Sequence, residues 1–166
     1  SSYAQLSGNK YIPGDYATVA AAVSDLNTQG VGPGGVTFNI SAGYTETLTA
    51  TLTVTATGTS GNPIVFRKNP ATSGANPLIT AYANTAGTAT TASTTALDGI
   101  WAFAGSDYVT IDGVDLLENA ANTAAGPCME YGYGFWKVDG TNGCQNNTIQ
   151  NCTITLNRAN NAAGGT

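Results

Sequence analysis

The chain has 166 residues, a formal net charge of -5 and no histidine, and only 9% of its residues are charged. The missing histidine excludes a histidine-based catalytic triad, a histidine general base and imidazole metal ligands. The five basic residues are too few and too dispersed to form a nucleic-acid surface. No run reaches the roughly 18 apolar residues of a membrane-spanning helix, so a single non-membrane-spanning domain is expected.

Residues 1–14 are predicted to form an N-terminal segment, and residues 15–30 a helix. The small residues at the start resemble the tail of a secretory signal, although an ordinary loose N-terminus explains them equally well. Within the helix, Tyr16, Val19 and Leu26 belong to an apolar set with helical spacing. Asp15 can cap its start, and Gly30 can end it.

Threonine occupies every odd position from Thr45 to Thr57, and the even positions are mostly apolar. This period of two predicts strand structure with one threonine face and one apolar face. A single strand of this length would span roughly 44 Å, so we expect it to bend or split near 49–51. Flat threonine arrays also suggest ice binding, a minor alternative that requires threonine pairs repeated on neighbouring strands.

Two segments 38 residues apart match position by position: Thr110–Leu116 (TIDGVDL) and Thr148–Ile154 (TIQNCTI). In each, apolar residues flank a polar pair whose second member, Gly113 or Asn151, tolerates a left-handed turn. Such a corner, repeated along the chain, predicts strands that lie on their equivalents. We therefore predict an all-β fold, a right-handed parallel β-helix over residues 31–166 with the helix as its N-terminal cap.

With these corners placed, the chain resembles the pectin-lyase-like family of right-handed parallel β-helices. The resemblance lies in the stretches Gly35–Glu46 (GVTFNISAGYTE), Gly58–Arg67 (GTSGNPIVFR) and Tyr108–Gly113 (YVTIDG). In that family they are architectural motifs. The chain is also similar to the N-terminal region of large secreted or surface proteins of Bacteroidota. This second resemblance lies in the order of the helix and the stretches GGVTFNISAGYTE, SGNPIVF, DGIWAFAGSDYVTIDG, MEYGYGFWK and NGCQNNTIQNCTITLNRA.

The second resemblance implies a secreted or cell-surface protein that continues beyond residue 166. It implies export by the type IX secretion machinery, through a C-terminal domain that this sequence does not contain. The leading functional prediction is a structural, adhesin-type segment that contacts extracellular glycans or cell-surface components. The alternative is a polysaccharide-active enzyme, either a lyase or a glycoside hydrolase.

Lyases of this family use Lys or Arg as a base, with calcium held by acidic residues. The catalytic candidates implied here are Asp112, Asp115, Lys137 and Arg158. Asp112, Asp115 and Glu118 are the candidate calcium ligands, and no other cofactor is expected. The simpler interpretation assigns Asp112 to a turn, Asp115 to a solvated strand face and the basic residues to charge balance.

The segment Glu130–Trp136 is the most aromatic part of the chain, and aromatic faces stack on sugar rings. Tyr131, Tyr133 and Trp136 are therefore the glycan-binding candidates, with core packing as the alternative. Among the cysteines, Cys128 and Cys144 flank a turn-rich segment and are predicted to form a disulfide in an oxidising compartment. Cys152 is expected to be a buried free thiol.

Overall fold

The computed structural model describes residues 4–84, 98–124 and 126–157. This part of the chain contains one α-helix and twelve β-strands. In chain order they are β1 (Leu6–Ile12), α1 (Val19–Gln29), β2 (Val31–Ile40), β3 (Thr45–Thr47), β4 (Leu52–Val54), β5 (Ile64–Lys68), β6 (Leu78–Thr80), β7 (Gly99–Ala104), β8 (Val109–Asp112), β9 (Asp115–Leu117), β10 (Tyr131–Trp136), β11 (Thr148–Gln150) and β12 (Ile154–Thr155).

The strands form three parallel sheets. The first sheet has the order β1-β2-β5-β8-β11, the second β12-β9-β6-β3 and the third β10-β7-β4. Every strand pair in them is parallel. Parallel neighbours need long connections, so each sheet gathers strands that lie far apart in the sequence.

The matching segments of the sequence lie beside each other. Thr110 pairs with Thr148 between β8 and β11, and Leu116 pairs with Ile154 between β9 and β12. Both predicted turn residues have left-handed backbone, with φ of 67° at Gly113 and 57° at Asn151. The alignment derived from the repeat is therefore confirmed.

An aromatic cluster joins the first and third sheets in the core. Phe38 on β2 stacks on Phe66 on β5 with ring centroids 4.6 Å apart, and Phe66 meets the edge of Trp101 on β7 at 5.1 Å. Trp101 stacks on Phe103 at 5.9 Å. All four side chains are fully buried, so the core lies between the sheets.

Helix α1 begins at Val19, four positions later than the predicted Asp15. Thr18 is its N-cap, and the Thr18 hydroxyl accepts a hydrogen bond from the Ala21 amide at 3.0 Å. Gly30 ends the helix as predicted, with φ of 72°. No helix in the described part of the chain combines the length and apolar character needed to cross a membrane.

The threonine-rich segment splits where expected. Residues 45–47 form β3 in the second sheet and residues 52–54 form β4 in the third, with bends at 49 and 50. Leu48, Leu52 and Val54 are buried, as the alternation predicts. The threonines do not continue as a two-residue array across the second sheet, because Thr47 pairs with Thr80 but Thr45 pairs with Leu78.

The prediction of an all-β right-handed parallel β-helix is wrong. The described residues form a mixed architecture of three separate parallel sheets and one helix, with no closed sheet. Several strands have only two or three residues, and irregular backbone lies between them, so the hydrogen-bond ladders do not run on from one sheet to the next. Helix α1 also contributes four buried side chains to the core: Val19, Ala22, Val23 and Leu26.

Candidate functional site

A polar cleft lies beside the turn between β8 and β9. Its volume is about 350 Å³. The residues that line it come from the end of β5, the connection to β6, and the turns that follow β8 and β11. They are Lys68, Asn69, Pro70, Thr72, Asn76, Asp112, Gly113 and Asn151.

Asp112 is fixed at one side of this polar cleft by the neighbouring turn. It is the last residue of β8, and the side-chain amide of Asn151 donates a hydrogen bond to its Oδ1 at 2.7 Å. Asn151 can approach because its left-handed backbone lies directly beside the equivalent turn at Gly113. Asp112 remains half-exposed, so it can also accept hydrogen bonds from a ligand.

Asn76 connects the cleft to Asp115. Its side-chain amide donates to Asp115 Oδ1 at 2.9 Å and to the Asn151 carbonyl at 3.0 Å. Asp115 Oδ1 also accepts the backbone amide of Thr153 at 2.8 Å. The carboxylate of Asp115 therefore joins three segments of the chain, and this arrangement holds the cleft wall in one geometry.

Lys68 is the cationic residue of the cleft, and it is not among the site residues predicted from the sequence. Its ammonium group donates a hydrogen bond to the carbonyl of Gly74. Lys68 could have been found from the alignment of β5 with β8, because Arg67, its neighbour on β5, pairs with Asp112. That pairing places the end of β5 next to the predicted acidic corner.

The other predicted catalytic residues are not gathered at the cleft. Lys137 follows β10 of the third sheet and is exposed, whereas Asp112 belongs to the first sheet. Arg158 lies outside the described residues. Of the four candidates, only Asp112 lines the cleft, with Asp115 bonded to its wall through Asn76.

Glu118 occupies a separate buried network. Its Oε1 accepts the side-chain amide of Asn122 at 2.7 Å, and its Oε2 accepts the backbone amide of Met129 at 2.9 Å. Both oxygens therefore hold the segment that precedes β10. No group of three or more potential metal-ligating Asp, Glu, Cys or His side chains occurs in the described ranges, so Asp112, Asp115 and Glu118 do not converge on one calcium site.

Two of the three predicted glycan-binding aromatics form a surface pair. Tyr131 and Trp136 are half-buried and meet edge to face, with ring centroids 5.5 Å apart. Burial raises the pKa of Tyr131, and the hydrogen bond from the Trp136 indole opposes that change. The Tyr131–Trp136 pair belongs to the third sheet, away from the strands that form the polar cleft.

Tyr133, the third glycan-binding candidate, packs against core residues instead of forming part of this surface pair. Its hydroxyl donates to the Val114 carbonyl at 2.9 Å, and its ring packs 5.8 Å from Trp101. Burial, followed by the nearby thiol of Cys152, raises the pKa of Tyr133 well above its usual value. This contact set matches the core-packing alternative for Tyr133.

The structure does not contain the predicted disulfide, because Cys128, Cys144 and Cys152 are free thiols. Cys128 is buried and donates to the Asn122 carbonyl at 3.3 Å. Cys144 lies near the ends of β10 and β7, within hydrogen-bond distance of the Trp136 carbonyl at 3.3 Å and the Phe103 carbonyl at 3.4 Å. The two thiols are thus held by different segments. Cys152 is half-buried rather than buried.

Comparisons of this chain with protein-family models, with curated proteins and with solved structures find no match.

Proposed function

We propose that this chain is an extracellular, non-enzymatic segment of structural or adhesin type, and that its polar cleft contacts glycans. The single observation that supports the proposal is that hydrogen bonds hold the polar side chains of the cleft in fixed positions. Asp112 and Asn76 are each held by side-chain hydrogen bonds to neighbouring turns. The cleft therefore presents a preorganised set of donors and acceptors, which is what recognition of sugar hydroxyl groups requires.

The residue types suit carbohydrate better than an apolar ligand. Carboxylate oxygens accept hydrogen bonds, the Lys68 ammonium donates them, and the side-chain amide of Asn69 can do both. The Asn76 amide nitrogen already donates to Asp115 and Asn151, so Asn76 contributes its side-chain oxygen as an acceptor. The volume of about 350 Å³ lies at the lower end of small-molecule sites. Such a cleft would hold part of a chain at its surface rather than enclose a whole ligand.

A polysaccharide-active enzyme is the second candidate, and one observation favours it. Lys68 lines the cleft beside Asp112, and the neutral amine of a lysine is a base of the kind that abstracts a proton next to a uronate carboxyl group. Against it, Lys68 already donates to Gly74 and Asp112 already accepts from Asn151. Both groups therefore have turn-holding roles that account for their positions.

Placement outside the cell rests on the resemblance of the sequence to secreted and surface proteins. Export by the type IX machinery and continuation into further domains belong to this proposal as well.

Affinity electrophoresis tests the proposal, with polygalacturonate as an acidic probe and xylan as a neutral one. We expect at least one polysaccharide to retard the protein, and Asp112→Asn and Lys68→Gln to reduce that retardation at least about fivefold, or about 1 kcal/mol. Lys137→Gln is the matched control, since it removes an exposed lysine outside the cleft. Retardation that the cleft variants leave unchanged would exclude the cleft as the site.

The enzyme alternative has its own readout. Polygalacturonate cleavage by elimination produces an unsaturated uronate, which is followed by its absorbance. Turnover that Lys68→Gln abolishes and Lys137→Gln leaves intact would replace the proposed function with the lyase.

A further inference from the structure

The basic residues that lie within strands are concentrated on the first sheet. Among the described residues they are Lys10 on β1 and Arg67 and Lys68 on β5. Asp112 on β8 is the acidic residue of the same sheet, so its strands carry three positive charges and one negative charge. The strands of the other two sheets carry acidic residues only. In a chain with a net charge of -5, this sheet is the surface that attracts an anionic ligand.

One row of side chains crosses the outer face of this sheet from β1 to β8. The residues of the row are register partners of one another: Tyr11, Asn39, Arg67 and Asp112. Register partners share one face of a sheet. Phe66, the residue before Arg67, is fully buried in the core, so the alternation along β5 directs the row outward. We refer to these four residues as the outer row.

Asn39 holds the guanidinium group of Arg67 in one position. Asn39 is only 2% exposed, and its side-chain amide donates to Asn9 Oδ1 at 3.0 Å and to the Lys10 carbonyl at 3.3 Å. These bonds direct the Asn39 side-chain oxygen toward β5, where it accepts a hydrogen bond from Arg67 Nε at 2.8 Å. The guanidinium group is therefore preorganised on the β2 side of its own strand.

The two terminal Nη groups of Arg67 remain available to a ligand. Arg67 is half-exposed, and within the described residues its hydrogen bond to Asn39 uses Nε alone. Asp112 is the register partner of Arg67 on β8, yet no ion pair joins the two in the described part of the chain. Asp112 instead accepts the Asn151 amide in the polar cleft. The planar Nη pair is suited to bind two oxygens of one anionic group by parallel hydrogen bonds.

Tyr11 adds an aromatic surface at the β1 end of the outer row. Its side chain is 46% exposed, and two strand spacings place its backbone about 10 Å from that of Arg67. An aromatic ring offers a flat apolar face on which a sugar ring can stack. A sugar chain that lies across the strands can therefore contact Tyr11 through a ring face and Arg67 through an anionic substituent.

We infer that the outer row is a second glycan subsite, continuous with the polar cleft through Asp112, and that its ligand is an acidic polysaccharide. The inference rests on the proposed function and adds the class of sugar. Arg67 binds a carboxylate or sulfate group of the ligand, and Tyr11 stacks on one of its rings. The polar cleft alone does not select an anionic sugar, because Lys68 shares it with Asp112. The selection comes from the guanidinium group that Asn39 holds beside it.

Affinity electrophoresis with matched polysaccharides separates the anionic group from the sugar backbone. Polygalacturonate is compared with its methyl ester, and dextran sulfate with dextran. We expect an acidic member to retard the protein at least about tenfold more strongly than its neutral counterpart, and Arg67→Gln to remove at least about tenfold of that retardation. The pair that shows this behaviour identifies the group as carboxylate or sulfate. Lys137→Gln, which removes the same charge outside the first sheet, should change nothing.

Two further variants separate the contacts within the outer row. Arg67→Lys keeps the positive charge but loses the planar pair of donors, so we expect it to weaken the retardation at least about threefold. Tyr11→Ala should weaken the retardation by acidic and neutral members alike, because stacking does not depend on the charge of the sugar. Circular dichroism spectra and unfolding midpoints that match those of the parent establish that the variants are folded.

Equal retardation by the acidic and neutral members of both pairs would overturn the inference, and so would a preference for the acidic member that folded Arg67→Gln retains. In either case the proposed function stands if Asp112→Asn and Lys68→Gln still reduce the retardation. A protein that none of these polysaccharides and no xylan retards would overturn both.

Discussion

Gly99 and Tyr131 show how one absent side chain allows an aromatic ring to lie on the third sheet. A Cβ atom placed on Gly99 would lie 1.9 to 2.4 Å from three atoms of the Tyr131 ring. The two residues are direct partners between β7 and β10. The position is therefore restricted by this close approach, and any side chain at 99 must displace the tyrosine.

We predict that Gly99→Ala lowers the free energy of unfolding by about 1 to 3 kcal/mol, the usual cost of inserting a group into a packed site. Urea unfolding followed by tryptophan fluorescence measures the change. Gly61→Ala is the matched control, because no atom lies within 4 Å of a Cβ at that position. Adding Tyr131→Ala to Gly99→Ala should recover part of the loss if the clash is its cause, and no recovery would contradict this explanation.

Residue-scale contacts of this kind could not be read from the sequence. The segment around Tyr131 was identified as aromatic-rich, but its alternation does not tell which ring lies in the core and which lies over a glycine. Tyr133 contacts Trp101 and Val114, residues 32 and 19 positions away in the chain. Such partners become visible only when the strand order is known.

At the scale of elements, the helix and the second sheet are joined by one carboxylate. Glu46 Oε2 accepts the Val19 amide at 2.7 Å, and Oε1 accepts the Ala20 amide at 3.1 Å. The Tyr44 hydroxyl donates to the same Oε2 at 2.9 Å. A negative group at this position satisfies free helical amides and interacts favourably with the helix dipole.

We predict that Glu46→Ala destabilises the protein by about 1 to 2 kcal/mol, the range of a lost helix cap. Chemical unfolding followed by circular dichroism measures the loss. Glu46→Gln keeps one oxygen acceptor but removes the charge, so its loss should be smaller. Thr47→Ser, at the exposed neighbouring position, should stay within about 0.5 kcal/mol of the parent. Equal stability of Glu46→Ala and the parent would contradict the assigned role.

The elements themselves were largely predictable, whereas their assembly was not. Alternation along 45–57 located both β3 and β4, and the repeat aligned β8 with β11. The predicted fold class failed because short-range patterns describe single strands and do not show whether successive ladders join into one closed sheet. The cap at Glu46 was also missed, since it lies 27 residues from Val19 and Asp15 offered a closer candidate.

On the scale of the whole molecule, three half-buried tyrosines, Tyr16, Tyr44 and Tyr133, couple stability to alkaline pH. Burial, and then the hydrogen bond to Asp25, raises the pKa of Tyr16 above its usual value. Burial, and then the bond to Glu46, does the same for Tyr44, and Tyr133 is shifted in the same direction. Tyrosines in the unfolded chain titrate near about pH 10.

We therefore predict that the unfolding free energy falls as the pH rises above about 10, because the unfolded chain then releases protons that the native protein retains. Below that pH the contribution of these tyrosines is fully present. Urea unfolding at a series of alkaline pH values measures the slope, and Tyr16→Phe should make it shallower. An identical slope in the variant would show that Tyr16 does not contribute.

In the described part of the chain, paired strands lie a few tens of residues apart in the sequence, from 25 between Leu6 and Val31 to 49 between Leu52 and Trp101. The bond from the Gly34 amide to Asn62 spans 28 residues, and that from the Val109 amide to Asn147 spans 38. The partner of each strand is therefore synthesised a few tens of residues after the strand itself. The protein can consequently be assembled in the order of its synthesis, with α1 and β2 in place before β11 exists. A truncation near residue 147 should then remove the last strands and leave the earlier pairs intact.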